Sequence, residues 1–271
     1  MALEFPHLLK LFPPNGFRFT MNLRTLQPEA FFSPKDPMRE LLAQRRKILA
    51  EEPEHYVCQT PRAEIGLLAR FLRRWTQAED LTGIAADLEP DLVLMQLDAA
   101  GNWTVAAGAV CFPSTWSLPE KLGHPMDFVH GAVPDLNVQI GPKITHFFNR
   151  LAQNPGAAYG RENWGLSASP QLDQHIRHKL PPVPINPDLS QVWLRVEDQA
   201  LVALDTRTFL FGIRIEIYPL TLLSQDRLLS ARLAHELKTM PSDMLQYKRL
   251  GRCRDSLVTA LTDSTRSTLL Q

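Results

Sequence analysis

The 271-residue chain has little cysteine and no net charge. Its three cysteines, Cys58, Cys111 and Cys253, are odd in number and widely spaced, and no C-x-x-C occurs. That argues against a disulfide framework, a zinc finger or a cysteine-held iron–sulfur cluster. Reduced thiols in a cytoplasmic protein are the expectation. Twenty-nine basic residues balance 29 acidic ones, and no basic patch is interleaved with aromatics. Nucleic acid and anionic membrane surfaces are therefore not expected as partners. No stretch approaches the ~20 apolar residues that span a bilayer. The first residues carry Glu4 and the pair Pro13–Pro14, and lack the basic start, unbroken apolar run and cleavage site of a signal peptide.

Common catalytic signatures are also missing. The chain has no G-x-G-x-x-G, no P-loop, no G-x-S-x-G elbow, no S-x-x-K and no H-E-x-x-H. His175 and His178 form an H-x-x-H pair, but the surrounding "QLDQHIRHKLPPVP" is polar and ends in prolines, so a solvated loop or helix end is expected. His235 reads as a surface residue, and His146, before Phe147 and Phe148, as a half-buried ring.

What is present is apolar patterning. Hydrophobic residues make up 44% of the chain, enough for a sizeable core. "SPKDPMRELLAQRRKILAEEP" predicts a helix capped by Ser33, with Pro34 at its first position. "TPRAEIGLLARFLRRW" predicts a second, capped by Thr60, with Ile65, Leu68, Ala69 and Leu72 on one face. "DLVLMQLDAAGNWTVAAGAVCF" predicts a hairpin turning at Asp98–Asn102, where Gly101 can take a positive φ. A short helix is expected at "GPKITHFFNRLAQ", and strands at "NWGLSAS", "QVWLRVEDQALVALD" and "TFLFGIRIEIYPL". A helix from about Gln225 to Met240 should bury Leu228, Leu229, Leu233 and Leu237, and a helical tail follows. Hairpins flanked by helices give an α+β fold with an antiparallel sheet, not a doubly wound parallel one.

His130 stands in "FVHGAVPDL", an ionisable ring in an apolar setting. Arg161, Arg195 and Arg214 each sit in apolar strand or strand-edge segments. Buried cations need partners. Glu197, two residues from Arg195 and on the same strand face, is one; a bound carboxylate would be another. The alternative is that all three arginines point outward into solvent.

Several segments resemble the haem-dependent oxidative N-demethylase family. "CFPSTWSLPEKLGHPMDFVHGAVPDLN" matches its central motif through Phe112, Pro113, Ser114, Trp116, Glu120, Lys121, Leu122, Gly123, His130, Val133 and Pro134. "RENW" supplies Arg161, Asn163 and Trp164, and "LRVEDQALVALDTRTFLFGIRIEIY" supplies Arg195, Val196, Glu197, Gln199, Leu201, Phe211, Ile213 and Arg214. "MLQYK" near residue 247 is a weaker match, and the opening "FPPNGFRFTMNLRTL" resembles the family's start. The resemblance implies one domain over residues 1–271: a helical part to about 85, a PAS-like antiparallel core over about 86–220, and helices beyond. It implies haem b, and O2- and NADPH-dependent removal of a methyl group from a small secondary amine such as dimethylamine, releasing formaldehyde. Electrons would come from a reductase carrying flavin and a [2Fe–2S] cluster. A non-enzymatic PAS-like sensor holding haem or another ligand is the alternative.

On that reading His130 meets the iron, either as its axial ligand or as a distal group, and Glu197 is its catalytic companion. Lys121, Arg161, Arg195 and Arg214 become partners for the propionates, and Trp116 and Trp164 lie at the cofactor. Two departures from the family pattern stand out. "LDTRTF" lacks the usual proline and glycine of the turn before the last strand, and Gly212, where threonine is common, is expected to widen the pocket.

Overall fold

Strand-forming stretches rich in Val, Ile, Leu and Phe assemble one seven-stranded sheet in the computed structural model, which describes residues 5–267, with side chains as far as residue 263. Glu4 therefore lies outside the described residues. The strands are β1 (Arg24–Thr25), β2 (Val57–Gln59), β3 (Asp91–Leu97), β4 (Trp103–Ala109), β5 (Ala158–Ser167), β6 (Trp193–Ala203) and β7 (Thr208–Pro219). Their order is β1-β5-β6-β7-β3-β4-β2, and every pairing is antiparallel. The architecture is α+β, an antiparallel sheet flanked by helices. No helix among the described residues is long and apolar enough to cross a membrane.

Both main hairpins follow from local chemistry. Between β3 and β4, Asp98 Oδ1 accepts from the Ala100 and Asn102 N–H groups, and Gly101 takes φ +85°. Between β6 and β7, where the family's proline and glycine are missing, Leu204 and Asp205 N–H both donate to the Thr208 carbonyl. Asp205 Oδ1 then accepts from Arg207 N–H. An aspartate side chain thus closes each turn.

Side chains alternate across the sheet. On one face Ala158, Ala200, Leu210, Leu92 and Leu94 meet the helices Pro28–Phe32, Ile65–Leu72 and Leu81–Asp87. At that face's far end, Trp164, Val196 and Leu194 meet Phe12 and the Arg227–Thr239 and Arg254–Ser267 helices. On the other face Leu201, Phe209, Val93 and Met95 pack under Ile144, Phe148 and Leu151 of the Gly141–Ala152 helix. The segment 126–140 crosses this second face: Met126, Val129, Leu136 and Ile140 join the Phe209 cluster, while Val133 reaches the Trp164 cluster.

Three expectations are corrected. The first long helix begins at Glu40 rather than behind Ser33. Pro37 disfavours helical backbone at Asp36, and the Glu89 carboxylate takes the Lys35 and Asp36 N–H groups instead. Ser33 ends the preceding helix, Pro28–Phe32. The second helix begins at Ile65, because Thr60 N–H still donates to Ala106 O and prolongs the β2 edge. Leu228 is exposed, whereas Leu229, Leu233 and Leu237 lie on the buried side of their helix.

Candidate functional site

Register places a polar row on the face covered by residues 126–140. Arg161 stands opposite Gln199 and Ile213, Asn163 opposite Glu197 and Ile215, and Gly165 opposite Arg195 and Ile217. Four of the eight residues singled out from sequence thus meet on this side: Arg161, Arg195 and Glu197 from the sheet, and His130 from above. Phe211, Ile215 and Ile217 share the face and are only half-buried, an apolar strip beside the polar row.

Glu197 is fixed by two amides. Asn163 Nδ2 donates to its Oε2 at 3.2 Å and Gln199 Nε2 to the same oxygen at 2.8 Å. Its other oxygen, Oε1, has no protein donor among the described residues. Arg195 is tied to the loops that border the site: Nη1 donates to Leu172 O at 2.8 Å and Nη2 to Phe112 O at 2.5 Å, while Nε is buried without a partner. Phe112 is itself held by Asp91, whose carboxylate accepts from Arg45 Nη1 at 2.5 Å, Cys111 N at 2.7 Å and Phe112 N at 3.0 Å.

Arg161 is the unusual member. Its Nε is buried with no acceptor, and its side chain forms no hydrogen bond or ion pair among the described residues. A buried donor left unpaired costs about 1–3 kcal/mol, more for a charged group. Burial lowers the guanidinium pKa, and the charges of Glu197 and Glu162 offset this only in part. The Arg161 charge reaches His130, the last residue of the short helix Met126–His130. Burial first, and Arg161 second, push the His130 imidazole down to about 4. The ring is therefore neutral at pH 7, with a lone pair to offer, and it makes no side-chain hydrogen bond among the described residues.

The other sequence candidates fall elsewhere. Trp116 is half-buried in the apolar cluster with Met126 and Val129, above the site. Lys121 lies at the rim, its Nζ 5.2 Å from the centre of the Phe128 ring, which in turn stacks on His124 at 3.9 Å. Trp164 points to the opposite face, edge-on to Phe12 at 5.1 Å. Arg214 is also on that opposite face: it donates to Phe31 O at 2.6 Å and Ser33 O at 2.7 Å and pairs with Glu89. Its three acceptors are all protein groups, and the structure does not bring it to the site. Gly212 does not widen the pocket, because it faces the same way as Arg214; a Cβ there would lie 2.7 Å from Phe31 Cε1.

Two histidine expectations change as well. His175 is buried, not solvated: its ring lies 5.2 Å from that of Tyr56, and its Nδ1 accepts from Arg177 N–H at 3.1 Å. Asp173 pins this segment by accepting from Tyr56 OH and pairing with His178 Nε2, both at 2.7 Å. His146 is exposed on the outer side of its helix, away from Ile144 and Phe148.

One residue absent from the sequence-based site set belongs near it. Lys248 Nζ donates to Trp164 O at 2.6 Å and lies 4.9 Å from the Trp164 ring centre. Burial pulls its pKa down to about 8 against the opposing pull of Glu197 and Glu236, with Arg161 adding to the depression. The signal was the weak "MLQYK" match, which ends on this lysine.

These residues fit a haem. A porphyrin brings its own nitrogens and asks the protein for an axial donor, an apolar slot and cations at its carboxylate edge. His130 offers the donor, Phe211, Ile215 and Ile217 an apolar wall, and the unpartnered Arg161 a cation. Among the described residues, no group of three or more His, Cys, Asp or Glu could hold a bare metal ion, so iron would need such a macrocycle. Comparison with known families gives the same direction. The model of the family described as "Haem-dependent oxidative N-demethylase, alpha subunit-like" matches residues 69–258. That range holds His130, Arg161, Arg195, Glu197 and Lys248; the opening segment lies outside it. Spanning well over half of the sequence, the match shows that the chain belongs to the haem-dependent oxidative N-demethylase, alpha subunit-like family.

Proposed function

We propose that this chain is the haem-bearing oxygenase component of an NADPH- and O2-linked N-demethylase acting in the cytoplasm on a small secondary amine of the dimethylamine kind, with formaldehyde as a product. The observation that carries this reading is the unpartnered Arg161 guanidinium set beside the neutral His130 ring, on a face that also carries the half-buried apolar residues Phe211, Ile215 and Ile217. Haem b would supply O2 activation. His130 would hold it through the imidazole lone pair, and Arg161, supported by the free Nε of Arg195, would grip a propionate. Trp116, Met126 and Val129 exclude water from above.

Glu197 orients the substrate. Because Asn163 and Gln199 both donate to Oε2, Oε1 is left to accept from the N–H of a protonated amine. A carboxylate fixed by two amides keeps its direction, which is the requirement for positioning a small substrate with few handles. The chain supplies no flavin or iron–sulfur motif, so electrons come from a separate reductase carrying flavin and a [2Fe–2S] cluster.

The test is formaldehyde release from dimethylamine by haem-loaded protein, with NADPH and a flavin–iron–sulfur reductase. Release at a rate that depends on both amine and reductase supports the reading. Haem binding without turnover across a panel of methylated amines contradicts it.

A further inference from the structure

We propose that Asp173, held by Tyr56 and His178, is a positioning residue that sets the direction of the Arg195 guanidinium. The inference rests on the oxygenase reading above, in which Arg195 Nε helps to grip a haem propionate. A donor already fixed in direction binds a carboxylate more tightly than one that must first be ordered.

Arg195 is only 2% exposed, and its guanidinium bridges two loops. Nη1 donates to Leu172 O and Nη2 to Phe112 O. Both bonds end on backbone carbonyls, so the guanidinium plane is only as well placed as the loops that carry them. Nε is the one nitrogen of the group buried without a partner, and it is the donor left for a ligand.

The Phe112 side of this clasp rests on Asp91, which accepts the Phe112 N–H at 3.0 Å. The Leu172 side has its own anchor in the next residue. Asp173 Oδ1 accepts from His175 N–H at 2.9 Å, and Oδ2 meets Tyr56 OH and His178 Nε2, each at 2.7 Å. Tyr56 is 1% exposed, and its own carbonyl accepts from Val110 N–H at 2.8 Å. The Asp173 carboxylate thus joins the Leu172 loop to the chain that leads from β4 to Phe112. The two loops are also laced through their backbones: Gln174 N–H donates to Pro113 O at 3.1 Å, and Thr115 N–H to Gln174 O at 2.9 Å. Gln174 Nε2 closes the Leu172 loop from within, on Ser169 O at 3.2 Å and Gln171 O at 3.0 Å. Two carbonyls from distant parts of the sequence are in this way held as one acceptor pair for Arg195.

Charge agrees with position. Burial lowers the Arg195 pKa, and Glu197, Asp91 and Asp173 oppose it. Asp173 therefore acts on Arg195 through space as well as through Leu172, and Tyr56 and His178 keep it in place.

The experiment uses the full chain and the variants Y56F, D173N and R195K. Y56F removes one hydroxyl group and keeps the ring; D173N keeps the shape and removes the charge. In 15N spectra of the haem-free protein, both should shift the Arg195 Nε–H resonance and leave that of Arg161 in place. On titration with haem, each should weaken binding about threefold to tenfold, the value of one hydrogen bond. In an R195K background Y56F should cause no further loss, because lysine has no planar fork to orient. Should R195K not fold, the Nε–H resonances alone decide. An Arg195 resonance unmoved in Y56F and D173N, or Y56F and R195K losses that add in full, overturns the positioning role and leaves the oxygenase reading standing. A wild type that binds no haem overturns the oxygenase reading, and this inference with it.

Discussion

His130 and Arg161 share one desolvated space, and each explains the other's behaviour. A ring that is half-buried beside a cation resists protonation. In haem-free protein the His130 ring should titrate near 4 by NMR, against about 6.5 for a free histidine. The sign follows from linkage. The unfolded chain binds this proton more tightly than the folded one, so the stability associated with a neutral His130 is present above about pH 6.5 and lost as pH falls toward 4. R161A should raise the midpoint only part of the way, since burial is the larger cause. The same variant should lower haem affinity while leaving haem-free stability unchanged or improved, because it removes a half-buried cation whose Nε has no acceptor. A loss of haem-free stability in R161A would show that the guanidinium has a structural acceptor.

At the scale of elements, the contrast is between Arg161 on one face of the sheet and Arg214 on the other. Alternation along β7 decides it: Ile213 and Ile215 share the Arg161 face, and Gly212 and Arg214 do not. R214A strands Glu89, whose side chain is 2% exposed, and should cost about 3–5 kcal/mol in denaturant unfolding. It should not move the haem spectrum. G212A pushes a methyl group into Phe31 and should cost about 1–3 kcal/mol by overpacking. A neutral G212A would mean that Phe31 has room to retreat.

These elements also show what sequence can and cannot deliver. Hairpins, strands and the Gly141–Ala152 helix were legible because periodicity and turn chemistry are local. The start of the first long helix was not, since the Glu89 carboxylate that claims Lys35 and Asp36 N–H lies more than fifty residues away in sequence. That the arginines of β5 and β7 lie on different faces was equally hidden, because register across three strands decides it. Buried His175 escaped notice for a similar reason. Its polar neighbours suggest solvent, while Tyr56 and Asp173 pin the segment from a distance.

For the molecule as a whole, one sheet divides the work. The face carrying Leu92, Ala200 and Leu210 is closed by helices and supplies stability. The other is closed over Phe209 but keeps a polar row with half-buried apolar neighbours beneath the segment that holds His130. His130, Arg161, Arg195 and Glu197 could be singled out in the sequence, as residues whose chemistry jars with their surroundings. Lys248 was signalled only by the weak "MLQYK" match, because burial by residues distant in sequence gives it its character.

The most direct measurement is the absorption spectrum of the purified protein after haem titration, with wild type beside H130A. The account predicts stoichiometric binding and a sharp Soret band in the wild type, and its loss or a strong shift in H130A. A wild type that takes up no haem would contradict the account at its centre, and an unchanged H130A spectrum would remove His130 from the iron.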